Sequence, residues 1–318
     1  MYTLYIQHKD KVFLPIVESG VQWETKRKGS PGKLTFKVIK DSIIDFTEGD
    51  AVIFFDGEDK VFYGFIFKKS RDKQGIISVT AYDQLRYLKN KDTYVYTNKT
   101  ASEVITMLAN DFTLNLGDIE ETKHKIDSRV EDNQTLFDII QNALDLTLNA
   151  TRELYILYDD CGKLTLKNIS SMKVGILVDK DTAENFNYET SIDSETYNQI
   201  KLVYDNGDAG KREVYIAKDS SNINKWGILQ YYEKVNSKQG VKDKADVLLK
   251  LYNGATRSLA IKGVVGDSRV RAGCMIAVSL DVGDTKTQSW LLVDKVTHQY
   301  SESMHTMDLS LVGGDYSA

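Results

Sequence analysis

Apolar residues fall in short runs broken by turn residues, and the clearest group spans residues 49–82. The run 51–55 is apolar throughout and stops at Asp56-Gly57, a pair that favours a tight hairpin turn. The run 61–67 follows, rich in the aromatic and β-branched residues that suit a pleated surface. A charged loop over 68–73, closed by Gly75, leads to a third run at 76–82. Three antiparallel strands are expected. Both faces of the first two are apolar, whereas a sheet with one wet face alternates. One face is therefore expected to fill a barrel and the other to pack on a further domain or subunit.

The same order returns after Gly273. An apolar run at 275–280 meets an Asp/Gly turn at 281–284, then come a run around an aromatic at 289–296, a polar loop and a run at 307–312. Upstream, Gly32-Lys33-Leu34-Thr35-Phe36-Lys37-Val38 precedes the first group as Arg257-Ser258-Leu259-Ala260-Ile261-Lys262-Gly263 precedes the second. Lys33 and Ser258 are 225 positions apart, and Gly49 and Gly273 are 224 apart. Few residues are identical, but the shared order predicts a duplicated β-barrel with other material between the copies.

Runs at 2–7 and 20–26 read as strands that complete a first domain over 1–91. From 92 to 185 the period changes. Thr100-Ala101-Ser102-Glu103 is a capping box ahead of Val104, Ile105, Leu108 and Phe112 at helical spacing. A second helix is expected from near Asn133, with Thr135 and Asp138 as its box and Leu136, Ile140, Ala143, Leu144 and Leu148 as its stripe. Runs at 154–158 and 163–167 flank the turn Asp159-Asp160-Cys161-Gly162. This is a small α+β domain. The third domain, 186–318, returns to strands at 186–188, 198–204, 212–218 and 228–235. A helical insertion at 241–254 ends on Gly254. The predicted class is mainly β: two tandem antiparallel β-barrels plus the small α+β domain.

The 318 residues exceed one ordinary core. A net charge of −5 disfavours a protein that grips nucleic-acid phosphates. Eighteen tyrosines suit strands and interfaces. Two distant cysteines, Cys161 and Cys274, suggest a reducing compartment. No signal-peptide pattern and no apolar run of membrane-spanning length is present, so no membrane insertion is expected.

No catalytic, cofactor-binding or metal-binding set emerges. His8, His124, His298 and His305 are scattered; the last two flank a hairpin loop and could approach each other, though loop histidines are usually solvated. Cys161 lies in a turn without an evident base. Gly32-Lys33 is not a phosphate loop, because Arg27 and Leu34 stand where Gly and Ser/Thr are needed; the basic loop 26–33 reads as solvated. Asp56, Glu58, Asp59, Asp205, Asp208, Asp281 and Asp284 sit in turns, where Asp is common for backbone reasons, and no EF-hand spacing appears. Glu120, Glu121, Glu131 and Asp132 read as a solvated face.

Several stretches resemble the XkdQ/YqbQ-type proteins of PBSX-like prophages. They are Gly32-Lys33-Leu34-Thr35-Phe36, Glu48-Gly49-Asp50-Ala51-Val52, Val61-Phe62-Tyr63-Gly64-Phe65-Ile66-Phe67 and, most specifically, Ala81-Tyr82-Asp83-Gln84-Leu85-Arg86-Tyr87-Leu88-Lys89-Asn90-Lys91. Tyr197-Asn198-Gln199-Ile200-Lys201-Leu202 and Trp226-Gly227-Ile228-Leu229-Gln230 extend the likeness over nearly the whole chain. The resemblance implies a non-enzymatic baseplate hub of a contractile tail, similar in role to the hubs of T4-like and Mu-like phages, with two tube-like barrels per chain. It implies a homotrimer joining a sixfold tail tube above to a threefold central spike below. Tape-measure protein, a LysM-type hub protein and the baseplate wedge are further partners, and DNA at most passes through the bore. It implies assembly in the bacterial host cytoplasm, then residence in the baseplate of a phage, prophage or bacteriocin particle. A receptor-binding tail protein and a cell-wall-degrading tail enzyme are the alternatives.

Overall fold

The computed structural model describes residues 1–193, 196–206, 211–235, 240–281 and 286–313. The chain divides into two compact units, one of residues 1–187 and 259–318 and one of residues 188–258.

The first unit begins with β1 (Tyr2–His8), β2 (Lys11–Phe13), β3 (Val17–Lys26), β4 (Lys33–Ile39), β5 (Ala51–Asp56), β6 (Asp59–Arg71) and β7 (Ile76–Tyr82). The strands at 51–55, 61–67 and 76–82 form where the apolar runs place them. They join in the order β3-β4-β7-β6-β5-β1-β2, every neighbour antiparallel. Leu4, Ile6, Leu34, Phe36, Val52, Phe54 and Ile66 are buried together in the core of this repeat.

A short 3-10 turn, Gln84–Lys89, leads into β8 (Lys91–Thr100), α1 (Ala101–Asp111), β9 (Leu116–Ile119), β10 (Lys125–Thr135), α2 (Leu136–Thr151), β11 (Tyr155–Asp159) and β12 (Leu164–Asn168). Thr100 and Glu103 close the expected capping box on α1. Thr135 caps α2, which starts at Leu136 rather than near Asn133, because 125–135 are drawn into a two-stranded ribbon with β8. A parallel β9–β12 pair and the β11–β12 hairpin pack with both helices around Leu108, Leu136, Ile139 and Leu166.

After these come β13 (Lys173–Asp179) and β14 (Asn185–Ser191). The second unit contains β15 (Gln199–Asn206), β16 (Lys211–Lys218), α3 (Ser220–Trp226), β17 (Gln230–Val235) and α4 (Val241–Tyr252). Here β15 lies between antiparallel β16 and parallel β17. The core joins Ile200, Leu202 and Val235 to Val241 and Ala245 of α4. Asn198, fully buried, holds the connection to β17 by donating to Gly227 O at 2.7 Å and accepting from Leu229 N at 2.9 Å.

The chain ends its sheet with β18 (Thr256–Val265), β19 (Met275–Asp281), β20 (Lys286–Tyr300) and β21 (His305–Val312). The order β14-β18-β21-β20-β19-β13 repeats β3-β4-β7-β6-β5-β1 strand for strand. The likeness reaches irregular detail. Phe65 of β6 pairs with Ala51 and Tyr82 as Leu292 of β20 pairs with Met275 and Val312. Both long strands then bulge at the same step, past Ile66 and past Val293. The copies also differ in direction at one pair: β13 runs parallel to β19, whereas β1 runs antiparallel to β5. The duplication is therefore real, but two separately closed barrels are not its form. Lys295–Tyr300 of β20 bonds Lys26–Val21 of β3, so among the described residues hydrogen bonding runs through one 13-stranded sheet instead of returning on each repeat.

Candidate functional site

The β20–β3 seam between the repeats gathers the densest chemistry among the described residues. His298 lies opposite Trp23, and their rings stack 4.8 Å apart. His298 is fully buried, with Nε2 2.8 Å from Val270 O and Nδ1 2.9 Å from His305 Nε2. His305 Nδ1 is 3.3 Å from Asp56 Oδ2, in the first repeat's hairpin turn. A carbonyl oxygen only accepts, so His298 Nε2–H donates to it and Nδ1 accepts from His305 Nε2–H. Two neutral imidazoles supply two protons for three contacts, and the contact to Asp56 is the one left without. Burial holds the His298 imidazolium down to a pKa of about 3. Burial also lowers His305, against the upward pull of Asp56 and Asp267.

The surroundings are built to this pair. The Tyr300 ring stacks on His305 at 3.9 Å, and its buried hydroxyl has no hydrogen-bond partner among the described residues. A Cβ on Gly266 would come within 2.2 Å of the His305 ring, so only glycine fits this approach. Ion pairs flank the seam: Arg27 Nε to Asp294 Oδ1 at 2.9 Å, and Lys295 Nζ to Glu24 Oε2 at 2.8 Å. The loop expected to be solvated is thus partly anchored. Gly32 N–H is also taken, by Asp83 Oδ2 at 2.8 Å, which leaves that loop unlike a phosphate cradle.

A second buried cluster joins the first repeat to the α+β segment. Asp83 caps the 3-10 turn, accepting from Leu85 N. Asp159 Oδ1 accepts from Gly162 N at 2.7 Å, while its buried Oδ2 has no hydrogen-bond partner among the described residues. A cavity of about 20 Å³, room for one water, is lined by both carboxylates and Arg271. Burial, with Asp159 nearby, raises Asp83 well above the carboxylate range. Burial raises Asp159 to about 6.

The other sequence candidates separate. His8 Nδ1 pairs with Asp50 Oδ2 at 2.7 Å, and His124 is partly exposed on the α+β segment. Cys161 and Cys274 are free thiols, each pushed up to about 11 by burial. Asp205 is engaged by Arg212 and Lys234, each at 2.7 Å. Glu58, Asp59 and Asp281 are exposed, and Asp208 and Asp284 lie outside the described residues. Glu131 does not share the solvated face: it is fully buried and accepts from Arg129 Nε at 3.0 Å and Asn142 Nδ2 at 3.1 Å. Glu121 and Asp132 are exposed, and Glu120 accepts from Asn168 N. His298 and His305 do meet, but in a buried seam rather than a wet loop. Asp83, Asp159 and Trp23 were not marked as site residues by the sequence reading.

A family model described as YQBQ-like matches residues 21–312, from β3 to the end of β21. The chain belongs to the YQBQ-like family. Within the curated relatives, "Phage-like element PBSX protein XkdQ" of Bacillus subtilis (strain 168) is 32% identical over 96% of this chain and 95% of its own length. Among solved structures, a 43 kDa tail protein of prophage MuSo2 from Shewanella oneidensis has a TM-score of 0.73 at 11% identity, covering 99% of this chain and 100% of that one. The E. coli c3393 protein is described as a type VI secretion system component similar in structure to the T4 tail proteins gp27 and gp5. It has a TM-score of 0.59 at 10% identity, covering 98% of this chain and 77% of that one. The YQBQ-like chain thus shares the fold of these phage-tail and secretion-system proteins.

Proposed function

We propose that this chain is the baseplate hub of a contractile tail, a homotrimer that joins the sixfold tail tube to the threefold central spike. One observation carries the reading: a six-strand order occurs twice in the chain, and the copies are joined through β20 and β3 in one sheet. Two tube-like repeats in each of three chains match six tube subunits, and a head-to-tail contact closes into a ring when the rotation allows. The domains 1–91 and 186–318 are the tube-like parts in this reading, with the helical insertion 241–254 in the latter, and 92–185 is the α+β part between them, except that its strand β13 joins the second repeat. The tube protein lies above and the spike below. Tape-measure protein, a LysM-type hub protein and the wedge are neighbours, and DNA at most passes through the bore. The chain works as a structural part rather than an enzyme, assembling in the host cytoplasm before release in the particle.

A reconstruction of the particle from a producing strain tests this. Three copies at the junction of tube and spike are expected. Six copies, or a position along a fibre, would overturn it.

A further inference from the structure

The seam inside the chain is a template for a seam between chains. β3 has two neighbours, β4 and β20, whereas its counterpart β14 has only β18 among the described strands. The second half of β20 has β21 on one side and β3 on the other. Its counterpart in β6, Lys68–Arg71, has β7 on one side and no second strand among the described residues. The shared bulge fixes which residues correspond: Lys68 stands where Lys295 stands, and Arg71 where His298 stands.

The docking strands correspond in sequence as well as position. Val21-Gln22-Trp23-Glu24-Thr25 of β3 recurs as Phe186-Asn187-Tyr188-Glu189-Thr190 of β14: apolar, amide, aromatic, glutamate, threonine. Within the chain, Trp23 stacks on His298 and Glu24 binds Lys295. The corresponding pairs are Tyr188 with Arg71 and Glu189 with Lys68, an aromatic ring for a guanidinium and a carboxylate for an ammonium. In β3 the apolar members are hidden, with Val21 and Trp23 each 2% exposed; in β14 Phe186 is 39% exposed. An open cleft of about 360 Å³ lies beside Lys69, Ser70 and Arg71, floored by Ile44, Phe46 and Ile77.

We propose that β14 of one copy adds antiparallel to the outer edge of β6 in a second copy, reproducing the β3–β20 seam with Glu189 on Lys68 and Tyr188 over Arg71. Strand addition of this kind draws affinity from the backbone and selectivity from the side chains. The contact is head-to-tail, because each chain offers a different edge to each neighbour. The number of copies in the ring rests on the hub reading; the interface itself does not.

The internal register, with Val296 opposite Thr25, places Lys69 opposite Thr190 of the neighbour. The test is Lys69→Cys with Thr190→Cys in a Cys161→Ser background, oxidised both as isolated full-length chain at high concentration and in tails from a producing strain. Covalent species of two and three chains on non-reducing gels are expected, with each single-cysteine variant giving no three-chain species. Adding Lys68→Glu or Glu189→Lys should lower the yield at least tenfold, and the two together should restore it. A double-cysteine variant no more cross-linked than its controls, or yields indifferent to charge, would overturn the proposal and show a β6 edge kept charged only for solubility. Three chains at the tube–spike junction without this link would sink the interface and leave the hub reading standing. The link in a chain located elsewhere would do the reverse.

Discussion

His298 at the seam and Asp159 at the α+β junction are both buried, and burial opposes the charge of each. The consequence runs in opposite directions along the pH scale, because one group is charged by gaining a proton and the other by losing it. His298 falls from 6.5 to about 3, so the unfolded chain binds its proton first as pH drops. Its contribution is complete above 6.5 and is lost as pH falls towards 3. Asp159 rises from 3.8 to about 6, so the unfolded chain loses its proton first as pH climbs. Its contribution is complete below 3.8 and is lost as pH rises through 6. Between about pH 4 and 6 the two slopes cancel in part, and the pair teaches that a flat stability profile can hide two steep ones.

The sharpest way to break this comparison is to remove the imidazole. Without compensation, His298 would cost on the order of 3 kcal/mol of stability between pH 6.5 and 4. His298→Phe should lose some stability at neutral pH, since Val270 O loses its donor, and should then grow more stable as pH falls from 6 to 4. Urea unfolding of the variant across that range reads the sign; a profile parallel to that of the unaltered chain would refute the assignment. Asp159→Asn is the mirror experiment. It keeps an acceptor for Gly162 N and removes the buried charge, so it should add about 3 kcal/mol at pH 7 and expose the acid loss due to histidine. If its gain is as large at pH 4 as at pH 7, burial of the carboxylate is not the cause.

Smaller effects sharpen the picture at the seam. Tyr300→Phe deletes a buried hydroxyl that has no partner among the described residues, so calorimetry should find it neutral or stabilising by about 1 kcal/mol; a clear loss would mean that hydroxyl is engaged. Least in energy is Asp56→Asn, which removes one of the carboxylates that pull His305 upward. Imidazole NMR should show the His305 midpoint moving down while His298 still does not titrate above pH 5. An unmoved His305 would sever the link drawn between the hairpin of one repeat and the histidines of the other.

Most strands of both repeats were legible because they are compact apolar runs bounded by turn residues, though β13, inside the stretch assigned to the α+β domain, was not; Thr100 and Thr135 announced their helices through side-chain chemistry that is local. The seam was not legible. Nothing near His298 in sequence reveals that Trp23, on a strand almost a whole chain away, covers it, so a histidine by a hairpin loop read as wet. Glu131 was misjudged for the same reason: Arg129 is two positions away, but Asn142 reaches it from α2. The missed signal was the recurrence of Val21-Gln22-Trp23-Glu24-Thr25 as Phe186-Asn187-Tyr188-Glu189-Thr190, which lies outside the repeat traced from Gly32 onward and marks the strands that carry the junctions.

The pairing of Val21 with Tyr300 also bears on how the chain is made. A ribosome adds roughly 5–20 residues per second, so β3 emerges on the order of tens of seconds before β20 exists to meet it. During that interval Trp23 has no His298 to stack on, and one edge of β3 stands open to any other extended chain. Synthesis rate and the crowding of nascent copies on one message thus become determinants of yield. A pause placed before residue 286 should lengthen the hazard.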